Sequence, residues 1–138
     1  MRAPALLALF PCLAACAGGG VGGAATIATY QPPAGSNEVL RGPIDGAPGR
    51  ELVTGDLVFG PQAPIPRHYH HGEEFLYVIG GETVVSRPGV PDVVLRPGDG
   101  LRIAPGTVHW GHAGAEGVRA VSSWVAVQGQ PLRVAVPE

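Results

Sequence analysis

The sequence predicts an all-β domain, and three observations carry that expectation. No window keeps helical periodicity past Ala17, brief runs of Val, Leu and Ile recur at short, regular spacing, and glycine or proline stands between them. With 22 glycines and 15 prolines among 138 residues, the breakers alone would read as low complexity; here they punctuate apolar runs instead. A chain of this length makes one domain with a core of its own. Strands so short and numerous, with no helix to cover a sheet face, must bury themselves against one another, as a double-stranded β-helix or jelly-roll barrel does.

The net charge of −2 and the scatter of the basic residues speak against nucleic acid as a partner, because phosphate binding needs a basic patch. All nine cations are arginines, spread singly along the chain.

In chain order, the first expected element is an address. Met1-Arg2 gives a positive start, and Ala5 to Leu13 gives an apolar run too short for a bilayer, which takes ~20 residues. The run ends in Leu13-Ala14-Ala15-Cys16, which resembles the lipobox of bacterial lipoproteins. That resemblance implies a signal peptide over 1–15 and cleavage before Cys16, whose sulfur is lipidated and therefore unavailable for a disulfide. It also implies export and lipid anchoring at the cell envelope. Ala17, in place of aspartate after the cysteine, implies the outer membrane, periplasmic face, of a two-membrane bacterium. The glycine-rich stretch that follows cannot bury enough apolar surface to order itself, so 16–30 reads as a flexible tether and 31–138 as the folded domain.

Expected strands are Thr26 to Tyr30, Glu51 to Phe59, Glu74 to Ile79, Thr83 to Ser86, Val93 to Leu95, Gly100 to Ile103, His109 to His112, Val118 to Val127 and a short run around Leu132 to Val136. Turns are expected at Pro61, Gly80-Gly81, Arg87-Pro88-Gly89, Arg96-Pro97-Gly98-Asp99 and Pro105-Gly106.

The chemistry lies in the five histidines, which fall into two clusters: His68, His70 and His71, then His109 and His112. Two residues apart on extended chain, His68 and His70 project from one face. Glu74, opening the next strand, can return a carboxylate to that face, with Glu73 the substitute if the turn shifts by one residue. His109 follows the tight turn at Pro105-Gly106, and closure of a barrel can bring it beside the first cluster. Imidazole nitrogens plus a carboxylate oxygen suit one divalent transition metal among Mn, Fe, Ni, Zn and Cu.

Gly60 to Gly81 (GPQAPIPRHYHHGEEFLYVIGG) resembles the first motif of the cupin family, with His68, His70, Glu74 and Gly81 at its marked positions. Gly98 to His112 (GDGLRIAPGTVHWGH) resembles the second, with Gly98, Gly106 and His109 in place. Ala104 stands where the family has proline, and Ala113 where it often has asparagine, which is not a ligand. The resemblance implies a small single-domain cupin barrel whose metal ligands are His68, His70, Glu74 and His109. Its implied partner is a small-molecule ligand or substrate, and it implies pairing of two copies into a homodimer.

The remaining prominent residues read more plainly. His71 and His112 face away from their neighbours in the motifs and are expected in turns or solvent. Tyr77, Trp110 and Trp124 are expected in core or subunit-contact packing, Leu76 and Val78 on the cavity wall, and Arg102 on the surface. Four protein ligands on a six-coordinate ion leave about two positions open, which suits a metal-dependent enzyme, a dioxygenase, isomerase or lyase, on a small polar substrate. The alternative is a non-catalytic module that captures a small ligand or metal, since the fold does not choose between them.

Overall fold

A computed structural model of the chain describes residues 30–138. The expected signal peptide, Cys16, the tether and the strand Thr26 to Tyr30 lie outside the described residues, save Tyr30 itself, which is exposed and forms no strand. Eight strands follow: β1 (Gly35–Pro43), β2 (Arg50–Phe59), β3 (Pro64–Tyr69), β4 (Glu73–Arg87), β5 (Val90–Leu95), β6 (Gly100–Ile103), β7 (His109–Val127) and β8 (Val134–Ala135). Among the described residues there is no helix, and every strand pairing is antiparallel, so the all-β jelly-roll expectation holds.

Two long strands organise the barrel. The second half of β7 lies between β2 and β4, while its first turns lie between β3 and β4. In its turn β4 carries β6 on its first half and β5 on its second. Sequence reading divides each long strand in two, at Gly80-Gly81 and between His112 and Val118; the folded chain bends there and stays in the sheet. The pairing of β4 with β7 slips between Val78 and Gly80 and again between Gly81 and Thr83. Gly81 adopts φ +69°, and a Cβ there would lie 2.2 Å from the Gly117 carbonyl oxygen. Glycine at this point therefore permits close strand contact instead of ending a strand.

Two strands have no counterpart in the sequence expectations. β1 is an exposed edge strand with little alternation, held on β2 by register and by Arg41 bonding to both Glu38 and Glu51. β3 contains Pro64 and Pro66, which demote a run as a strand. The ladder accommodates them because its register with β7 shifts between Ile65 and His68.

The interior holds two apolar clusters. Val78, Val85, Leu95, Ile103, Ala113, Val118 and Ala120 fill one, while Val53, Trp124 and Ala126 form the other; Leu57 packs against both. Members of both clusters line a single cavity of about 120 Å³, and the buried His68, His70, Glu74, Thr83 and His109 stand on its wall.

Candidate metal centre

β3 and the residue that follows it deliver two imidazoles. The prolines of β3 hold the chain extended ahead of His68, and His68 and His70 both turn inward and are buried. The chain then reverses through His71 and Gly72. Gly72 passes so close to β7 that a Cβ there would lie 1.9 Å from the Val125 carbonyl oxygen, which only glycine allows. Glu74 comes next on the inward side of β4 and is 5 % exposed. His109 opens β7 after the turn at Pro105-Gly106. There it is the ladder partner of His68, and the Gly106 N–H donates to the His70 carbonyl at 2.8 Å, tying the two motifs together.

Backbone carbonyls orient all three imidazoles. Nδ1 of His68 lies 2.7 Å from the Pro66 oxygen, that of His70 2.5 Å from Leu132, and that of His109 2.9 Å from Thr107. A carbonyl only accepts, so in the neutral ring each Nδ1 carries the hydrogen and each Nε2 keeps a lone pair. The histidines converge, with ligating atoms within 4.8 Å of one another and the rings of His68 and His109 centred 4.1 Å apart.

Glu74 lies beside two of the three histidines. Its Oε1 accepts the Ser122 hydroxyl at 2.5 Å, while Oε2 lies 3.1 Å from His70 Nε2 and 3.3 Å from His109 Nε2. With His70 neutral and its hydrogen on Nδ1, His70 Nε2 and Glu74 Oε2 are buried and find no donor. Acceptors facing each other out of water cost free energy unless a cation lies among them. Separations near 3 Å are also what donors ~2.1 Å from a divalent first-row ion show at right angles. The three histidines can bind a metal ion, and the residues around them fit one.

The protonation states agree. Burial pushes the His68 ring down to about 4, helped by the charges of His109, Arg133 and His70 and opposed by the Pro66 carbonyl, so it is neutral near pH 7. For Glu74, burial works to raise the pKa, but hydrogen bonds from His109 and His70 when those rings carry a proton at Nε2, the charge of His70 in that form and the Ser122 hydroxyl outweigh it and hold the carboxyl below the usual carboxylate range; a cation in the same place acts in the same direction. A neutral imidazole beside an ionised carboxylate is the form a metal ion takes.

Adjacent residues separate cleanly. Glu73, the substitute donor, faces outward and pairs with Arg102, whose side chain is exposed. His112 is exposed, and the His71 ring stands edge-on to Tyr69 at 5.3 Å. Leu76 lines the cavity as expected, whereas Val78 is fully buried in the apolar cluster. Tyr77 is 52 % exposed, Trp124 packs in the core against the cavity, and Trp110 carries Arg67 4.5 Å over its ring.

Sequence reading overlooks Ser122, which fixes Glu74, and Leu132, whose carbonyl fixes His70. Ser122 left a trace, being a polar residue on the inward parity of β7 between Ala120 and Trp124. Leu132 left none, because a backbone acceptor has no residue signature.

The Cupin domain family profile matches residues 55–124. A D-lyxose ketol-isomerase of Thermofilum sp. (strain ex4484_79) is 33% identical over 89 residues, a match covering 45% of this chain and 49% of that protein, so the chain spans about half the length of this curated relative. A cupin-like protein of Thermotoga maritima superposes with TM-score 0.57 at 28% identity, over 63% of this chain and 65% of that one. A double-stranded β-helix protein of Klebsiella pneumoniae gives TM-score 0.54 at 22% identity, over 79% of this chain and 92% of that one.

Proposed function

Because this chain belongs to the cupin domain family, we propose that it is a metal-dependent enzyme whose single divalent ion is held by His68, His70, Glu74 and His109. The observation that carries the reading is the pair of buried acceptors, His70 Nε2 and Glu74 Oε2, 3.1 Å apart with no donor between them.

A bound divalent ion would supply Lewis acidity or a site for dioxygen, the chemistry of an isomerase, lyase or dioxygenase. The protein's own part is positioning. Three carbonyls hold the imidazole Nε2 atoms on one point, and Ser122 keeps Glu74 turned so that Oε2 joins them. Leu57, Phe59, Ile65, Leu76, Val85 and Ile103 give the rest of the cavity an apolar lining, beside which polar interactions are stronger than in water. The named activity of the curated relative, a ketol-isomerase, favours a small substrate bearing neighbouring oxygens.

Elemental analysis of the full chain purified without chelator tests this. One equivalent of a divalent transition metal is expected, falling below a tenth of an equivalent in His109→Ala; a wild-type chain without stoichiometric metal contradicts it. The second reading, a non-catalytic ligand-capturing module, draws on the lining itself. Among the described residues, the cavity offers no acid or base beyond the four donors and Arg133. Turnover of any compound that disappears in His109→Ala decides against that module.

The same proposal includes the location. The lipobox-like Leu13-Ala14-Ala15-Cys16 supports a lipid-anchored protein of the bacterial cell envelope, with 1–15 removed, 16–30 as tether and 31–138 as the catalytic domain. Labelled palmitate should enter the full chain and fail to enter Cys16→Ser; equal labelling of both contradicts it.

A further inference from the structure

We propose that Arg133 is the specificity-determining residue of the cavity and that the substrate is a small carboxylate. The inference rests on the metal-centre reading above and adds the charge of the molecule that reaches it. Among the described residues, Arg133 is the only arginine lining the cavity; its remaining lining is mostly aliphatic and aromatic. A neutral apolar ligand would have no use for a guanidinium there, whereas a carboxylate gains a charge-assisted, bidentate partner.

The side chain is held in place to act. Nη2 of Arg133 donates to the Pro66 carbonyl at 3.0 Å, the same oxygen that orients His68 through Nδ1 at 2.7 Å. One backbone acceptor thus anchors both a metal-site imidazole and the guanidinium, and the other guanidinium donors are left to a ligand. The neighbouring guanidinium of Arg67 is committed 4.5 Å over the Trp110 ring. Leu132, immediately before Arg133, accepts from His70, so the segment ahead of β8 supplies a buried contact to the metal centre and a cation to the cavity in two successive residues. Arg133 is exposed, so replacing it leaves the core intact.

Lactate and lactamide share a skeleton and differ in charge, which makes them the probe pair. Titration calorimetry with the full chain loaded with Mn²⁺ should show lactate binding at least tenfold more tightly than lactamide. Arg133→Gln should remove most of that preference and Arg133→Lys should keep part of it, with Mn²⁺ content the same in all three. An Arg133→Gln chain with full metal content and an unchanged preference for lactate overturns the proposal, as does a wild type that binds lactate no better than lactamide. Failure of the metal reading looks different. A chain that takes up no Mn²⁺ but still binds lactate through Arg133 contradicts the metal centre and supports the residue's role.

Discussion

Glu73 and Glu74 are neighbours in sequence and opposites in circumstance. Glu73 lies on the outer side of β4 with Arg102, in reach of water, while Glu74 lies inside against the imidazoles of His70 and His109 and a serine hydroxyl. The histidines divide the same way: His68, His70 and His109 are buried, whereas His71 and His112 lie to the other side. Chemically identical side chains acquire different roles because the pleat sends successive residues to opposite faces. Outside, a charge is hydrated and its partner contributes little; inside, each polar atom must find a partner or lose several kcal/mol.

Substitutions across that boundary sharpen the contrast. Gly72→Ala forces a Cβ into the Val125 carbonyl, pushing β4 off β7 at the point where Glu74 enters. It should cost about 3 kcal/mol or more, read as a fall in thermal midpoint, and should abolish metal binding. Glu74→Gln retains the shape but removes the charge, and metal affinity measured by equilibrium dialysis should drop at least a hundredfold. Ser122→Ala leaves the carboxylate in place without its restraint and should weaken the metal by about 10–100-fold. Glu73→Gln, on the outer face, should change stability by less than about 0.5 kcal/mol and metal affinity not at all.

Acid provides a further contrast between the metal-free and metal-loaded chain. The His68 pKa is lowered on folding, so the unfolded chain binds the proton more readily and protonation opposes the fold. This group's contribution is complete above the unfolded value near 6.5 and is lost as pH falls toward about 4. The metal-free chain should lose stability across that window from this one ring. Glu74, also lowered, loses its contribution with the same sign below the ordinary carboxylate range. Chemical denaturation from pH 7 to 4 should show the His68 loss in the metal-free chain and its abolition in His68→Gln.

Much of this organisation is legible in residue order. The alternation of apolar runs and breakers gives the all-β barrel, because period-two burial is a local property. The two histidine clusters give the donors, because His68 and His70 share a face by spacing alone. What escapes is set by contacts distant in sequence. β1 exists through its register with β2, and β3 survives two prolines because β7 shifts register beside them. Gly80-Gly81 reads as a turn, yet β4 continues through it, since local chemistry does not reveal that the Gly117 carbonyl passes 2.2 Å from where a Cβ of Gly81 would stand. Ser122 and Leu132 hold donors from 48 and 62 residues away, a distance over which spacing carries no information.

The central claim is that four inward donors, and not their outward neighbours, meet on one ion. Anomalous diffraction from crystals of the chain grown with Zn²⁺ tests it most directly. A single strong peak is predicted within about 2.3 Å of the Nε2 atoms of His68, His70 and His109 and of a Glu74 oxygen. A strong peak at His71, His112 or Glu73, with none among the inward four, would contradict it.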